Sequence, residues 1–134
     1  HERVPLWVEE TLRYDTSSQI LARTVVEDIE FYGTTLHDGD VLLLVPGAAH
    51  RDERAFEDPD EFRIGRDIGS KLLSFGSGAH FCLGAHLARM EGRVALQALV
   101  ERVRGFEVDE ANAVRVHSSS VRGFANLPIT VKKA

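Results

Sequence analysis

Hydrophobic and polar positions alternate along this chain with more than one period, and each period predicts a different element. Leu6, Val8, Leu12 and their neighbours, with Pro5 near the start, predict a helix of about three turns. The turn-rich cluster Tyr14-Asp15-Thr16-Ser17-Ser18 ends it. Residues 20–26, 29–32 and 41–45 are apolar or β-branched runs. With turns at Gly33 and at His37-Asp38-Gly39-Asp40, they read as a small antiparallel sheet that Pro46-Gly47 closes. Residues 50–74 keep no period: Phe56, Phe62 and Ile64 are scattered among charges around Asp58-Pro59-Asp60. An aperiodic segment of that length in a compact domain is more often functional than idle. The strongest helical signal covers residues 85–104. Leu87, Met90, Val94 and Ala98 form one stripe, Ala88, Ala95, Leu99 and Val103 adjoin it, and Gly105 reads as its stop. Short strand candidates at 114–116 and 129–131 flank a Ser118-Ser119-Ser120 loop. The predicted class is α+β, with no internal repeat or low-complexity segment.

Composition narrows the function classes. At 134 residues, the chain is one domain or a piece of a larger one. With 43% hydrophobic and 28% charged residues it lies in the globular range, not the disordered one. A net charge of −5 argues against nucleic acid or an anionic membrane as partner. No apolar run approaches the ~18–20 residues that cross a bilayer. One cysteine excludes a disulfide framework and any multi-cysteine zinc or iron–sulfur site. It implies a reduced, cytoplasmic setting and leaves one thiol to be explained. The chain opens His1-Glu2-Arg3, without initiator Met or signal peptide, which points to a true N-terminus lying elsewhere.

That thiol, Cys82, stands just before the long helix. Main-chain N–H groups at a helix start are unpaired and carry the positive end of the dipole, a setting that suits a sulfur anion. Gly76, Gly78 and Gly84 let the backbone turn sharply or approach something flat and bulky. A single axial thiolate to a haem iron needs both properties. A lone Cys is otherwise a small buried hydrophobe. A zinc site from His80, Cys82 and His86 has suitable ligand types but no evident fourth ligand.

The run Phe75-Gly76-Ser77-Gly78-Ala79-His80-Phe81-Cys82-Leu83-Gly84 resembles the haem-thiolate loop of the cytochrome P450 family, F-x-x-G-x-H/R-x-C-x-G, and meets every fixed position. The following Ala85-His86-Leu87-Ala88-Arg89-Met90-Glu91 is similar to the bacterial soluble branch. The resemblance implies haem b as cofactor, Cys82 as axial ligand of the iron, and a thiolate that favours O–O cleavage. It also implies cofactor contacts from Phe75, Gly76 and Gly84, and propionate contacts from His80 and Arg23. A guanidinium such as that of Arg23 holds a carboxylate through two hydrogen bonds.

Glu10-Thr11-Leu12-Arg13, about 70 residues before the Cys loop, resembles the family's E-x-x-R. The implied role is a charged structural lock, with Arg66 as candidate third partner; Glu61 stands where many members carry Arg. Alone, such an i,i+3 pair is also an ordinary solvated helix face. Ala48-Ala49-His50-Arg51-Asp52 resembles A-N-R-D, with His50 in place of Asn. Ile20 and Leu21, after the E-x-x-R helix, and Val121 and Phe124, near the C-terminal hairpin tip, are the implied substrate contacts; core burial is the other reading of each.

The fold implied is the C-terminal part of the mainly α P450 fold: E-x-x-R helix, small sheet, meander, Cys loop, long helix and C-terminal hairpin. The family's long central helix, with the acid/alcohol pair that relays protons, has no counterpart here. The expected parent is a monooxygenase of a small, largely apolar organic substrate, fed electrons by a ferredoxin or flavoprotein. No catalytic residue lies within this chain, and activity of residues 1–134 alone is not expected. The rival is a haem-free, non-enzymatic remnant that self-associates to cover its apolar surface.

Overall fold

Pro5 sets the helical φ in the first turn of α1 (Val4–Tyr14), whose inward face carries Val4, Val8, Glu10 and Arg13. The computed structural model describes residues 2–134. Past Tyr14 the chain forms β1 (Leu21–Thr24), β2 (Ile29–Phe31), β3 (Thr34–Leu36) and β4 (Val41–Leu44), then a single helical turn, α2 (Pro46–Ala49). β1 pairs with β4, placing Leu21 opposite Leu44 and Arg23 opposite Leu42. β2 and β3 pair only with each other. The predicted single sheet is therefore two separate ladders. Asp28 lies at the break: its carboxylate accepts the Asp38 N–H at 2.9 Å and faces the His37 ring at 3.2 Å. These contacts close the base of the β2–β3 hairpin, which forms its own ladder. Tyr32 and Gly33, at φ of 50° and 78°, make the tight two-residue turn that such a hairpin requires.

After a long meander, α3 (Ala85–Arg102) is followed by two antiparallel strand pairs: β5 (Val103–Val108) with β8 (Ile129–Lys133), and β6 (Val114–Arg115) with β7 (Phe124–Asn126). Gly105 is not the helix stop expected of it. The helix ends at Arg102, β-branched Val103 turns extended, and Gly105 sits inside β5 where the register shifts. α1 crosses α3 closely enough that a Cβ on Gly92 would lie 3.4 Å from Val8.

Buried hydrophobics are Val4, Val8, Val25, Phe56, Ile68 and Ala85, and Glu10, Arg13, Thr16 and His50 are buried polar residues. The α3 stripe is exposed: Leu87, Met90 and Val94 show more than half their surface. No described element covers that face. Among the described residues, no helix is long and apolar enough to cross a membrane.

Candidate functional site

The i,i+3 spacing of Glu10 and Arg13 places both on the inward face of α1, where neither is solvated. Arg13 donates to both carboxylate oxygens of Glu10, at 2.8 and 2.9 Å. Its remaining N–H groups reach the carbonyls of His50 (2.9 Å), Pro59 (2.8 Å) and Glu61 (3.0 Å). Glu10 also accepts the Arg63 main-chain N–H at 2.7 Å and Arg66 Nε at 3.3 Å. Arg66 further donates to the carbonyls of Glu57, Asp58 and Glu61. Glu61 thus contributes main chain, not side chain. Arg51 stacks on the Tyr14 ring at 4.1 Å and donates to the Tyr14 carbonyl at 2.8 Å. The meander from 57 to 66 is pinned to α1 through the main chain of Pro59, Glu61 and Arg63 and through the side chains of Phe62 and Arg66.

Burial by itself would raise the pKa of Glu10. Hydrogen bonds from Arg13, the Arg63 amide and Arg66, with the charge of Arg13, outweigh burial and hold it below 4.5. Because the folded pKa is the lower one, this stabilisation is complete above the unfolded value and is lost as pH falls through the folded value. We expect the urea midpoint to drop once pH falls below about 4.5. Glu10→Gln should lower the midpoint at neutral pH and flatten that acid limb; an equally steep limb in the variant would remove Glu10 as its source.

The meander leads into the loop that carries the sulfur. Ser74 Oγ donates to the Leu12 carbonyl at 2.6 Å, and the Leu73 N–H donates to His50 Nε2 at 2.8 Å. Gly76 N–H then bonds the Leu73 carbonyl, and Cys82 N–H the Phe75 carbonyl, both at 2.9 Å. Gly76 and Gly78, at φ of 72° and 70°, take a backbone conformation that side chains disfavour, which lets the loop double back. The free thiol of Cys82 is exposed, next to Gly84 at the start of α3. Arg89 on α3 ties the arrangement together. It forms two hydrogen bonds to Glu9 of α1, at 2.7 and 3.1 Å, and lies 4.6 Å over the Phe75 ring. Glu9, Arg89 and Ser74 escape sequence reasoning, because contacts such as Glu9–Arg89 span 80 positions.

Beside this loop opens a largely apolar cavity of about 360 Å³ that brings together Leu21, Arg23, Gly76 and His80, with Leu44, Pro46 and Leu73 among its walls. Phe75, Cys82, Gly84, Ile20, Val121 and Phe124 are not among those walls. Val121 is exposed and bridges Ser18, joining the C-terminal hairpin tip to the loop after α1. Phe124 lies under the Arg115 guanidinium at 3.7 Å. Among the described residues, no three His, Cys, Asp or Glu side chains converge as a metal cluster, so His80, Cys82 and His86 do not form one. The donor set does fit a haem: one accessible thiol for iron, an apolar recess for the ring, and a guanidinium and an imidazole for its carboxylates.

A helix-borne lock, a pinned meander and a lone thiol at the mouth of a helix define a haem-thiolate class of protein. The family model for cytochrome P450 matches residues 4–132, and the chain belongs to that family. Its relatives include cytochrome P450 123 of Mycobacterium tuberculosis, 71% identical over 98% of this chain and 33% of that protein. Among solved structures, CYP109Q5 from Chondromyces apiculatus superposes with a TM-score of 0.91 at 35% identity, over 99% of this chain and 34% of that one. Substrate-free CYP150A6 of Mycobacterium marinum gives 0.92 at 33% identity, over 99% and 35%. The chain spans about a third of the length of the curated relatives it matches. Haem b is the cofactor expected of this family.

Proposed function

We propose that residues 1–134 are the C-terminal, haem-thiolate-binding part of a cytochrome P450 monooxygenase that oxidises a small, largely apolar organic substrate with O2. The observation that carries this is the accessible Cys82 thiol on a glycine-folded loop, beside an apolar cavity that holds Arg23 and His80. In this reading Cys82 holds the iron. Arg23 and His80 bind the propionates, while Phe75, Gly76 and Gly84 shape the loop against the ring. Leu21, a wall of the cavity, and Ile20, Val121 and Phe124 face the substrate side. Glu10, Arg13 and Arg66 hold the meander that supports the loop. Haem, when bound, supplies one-electron and O2 chemistry. The parent would work in the cytoplasm with electrons from a ferredoxin or flavoprotein. Its relatives are about three times as long, and turnover requires what the remainder supplies.

A second reading is favoured by the wholly exposed Leu83 and the bare face of Leu87, Met90 and Val94: a haem-free remnant that self-associates to cover that face. Haemin added to the purified chain separates the two. We expect a coloured protein that, reduced under carbon monoxide, shows a thiolate-type absorption band. A chain that stays colourless and sediments as an oligomer overturns the haem reading.

A further inference from the structure

His50 is fully buried at the end of α2, and the lock uses only its backbone carbonyl. Its ring is engaged on one side alone. Nε2 accepts the Leu73 N–H at 2.8 Å, while Nδ1 is buried with no partner among the described residues. A main-chain N–H can only donate, so Nε2 is the bare nitrogen and the neutral ring carries its hydrogen on Nδ1. Leu73 lies at the root of the sulfur loop. Its carbonyl holds Gly76 N–H, its side chain lines the cavity, and two residues later the Phe75 carbonyl holds Cys82 N–H. One imidazole nitrogen therefore anchors the first residue of a hydrogen-bonded run that ends at the thiol.

We propose that His50 is a positioning residue for the sulfur-bearing loop, its Nε2 fixing Leu73 and through it the turn at 73–76. The meaning of this for haem rests on the haem-thiolate reading; the positioning itself does not require haem. The positive charges near the ring, Arg13 and Arg51, favour its neutral form. Arg13 approaches from α1, compensated by Glu10, and Arg51 follows in the chain. Lys71 stands over Phe56, whose ring meets the imidazole edge-on at 6.2 Å. Residues 72–74 bring no charge. Burial first, then the charge of Arg13, lower the His50 pKa to about 4. Below that, a protonated Nε2 would face the Leu73 donor with another donor, and the anchor is lost.

The test compares the wild-type chain with His50→Gln and His50→Leu. The Gln amide oxygen reaches the place of Nε2 and does not titrate; Leu fills the space without an acceptor. The readout is hydrogen exchange of the Leu73 and Gly76 amides, expressed as protection, beside far-UV circular dichroism for the global fold. We expect protection to fall about tenfold in His50→Leu and to persist in His50→Gln. As pH falls through about 4, the wild type should lose Leu73 protection before its global transition, and His50→Gln should not. Unchanged protection in His50→Leu, or matching acid profiles in wild type and His50→Gln, overturns the proposal. If His50→Leu fails to fold, the acid comparison still decides. Haemin titration is a separate arm, in which affinity should fall about tenfold in His50→Leu and hold in His50→Gln. If none of the three takes up haemin while the exchange results hold, the haem reading fails and the positioning role stands.

Discussion

Cys82→Ala is expected to abolish the thiolate-type absorption band of the haemin-loaded, carbon monoxide-treated chain and to leave its fold intact. The reason for so complete a loss is that the chain holds a single sulfur able to become a thiolate. The neighbouring donor, His80, could bind iron only as an imidazole, with a different spectrum. The reason for an intact fold is that the Cys82 side chain is exposed and packs against little beyond Gly84. Truncating such a group should alter stability by no more than about 0.5 kcal/mol. The loop keeps its shape through the backbone bonds Cys82 N–H to Phe75 and Gly76 N–H to Leu73, which the substitution does not touch. Absorption spectra and the helical circular dichroism signal measured together check both halves. A variant that keeps the thiolate-type band removes Cys82 from its assigned role.

Arg13→Ala is the substitution expected to harm the fold most. It deletes five hydrogen bonds at once. The Glu10 carboxylate stays buried with only the Arg63 amide and Arg66 to satisfy it, and the carbonyls of His50, Pro59 and Glu61 lose a donor that water cannot replace in place. Removing one partner of a buried ion pair costs about 3–5 kcal/mol, against a total stability of about 5–15 kcal/mol for a native domain. The guanidinium also lies 5.4 Å over the Phe56 ring, so the loss includes packing. Lysine should not rescue, because a point charge on a flexible stem cannot aim at four partners in one plane. Urea denaturation checks this, and a loss under about 1 kcal/mol would show the pair to be ornamental.

The parts of this architecture visible in the sequence are those written in side-chain types at fixed spacing. Glu10 and Arg13 share a face because i,i+3 always does in a helix, and Cys82 stands out because glycines, Phe75 and His80 surround it. What holds the lock is less visible: His50, Pro59 and Glu61 serve through carbonyls, which every residue has, so no letter of the sequence marks them. Arg89 and Glu9 meet only because α1 and α3 cross. The α3 stripe shows a different limit. Its period marks a face made to be covered, and an amphipathic pattern says nothing of whether the cover belongs to the same stretch of chain. Gly105 departs from expectation for a third reason: a glycine after a helix suits a cap, but Val103–Val108 finds a strand partner in Ile129–Lys133 and forms a ladder instead.

All the described ladders are two-stranded, so each of the strands β1 to β8 is an edge, with one full row of main-chain N–H and C=O groups facing outward. An edge of this kind is a template for any passing extended segment, and a lone hairpin is marginal by itself in water. The short strands limit the hazard, with only β5 and β8 longer than four residues. The β5–β8 ribbon, apolar at Phe106, Val108, Ile129 and Val131, is therefore where amyloid-like stacking of misfolded chains would start.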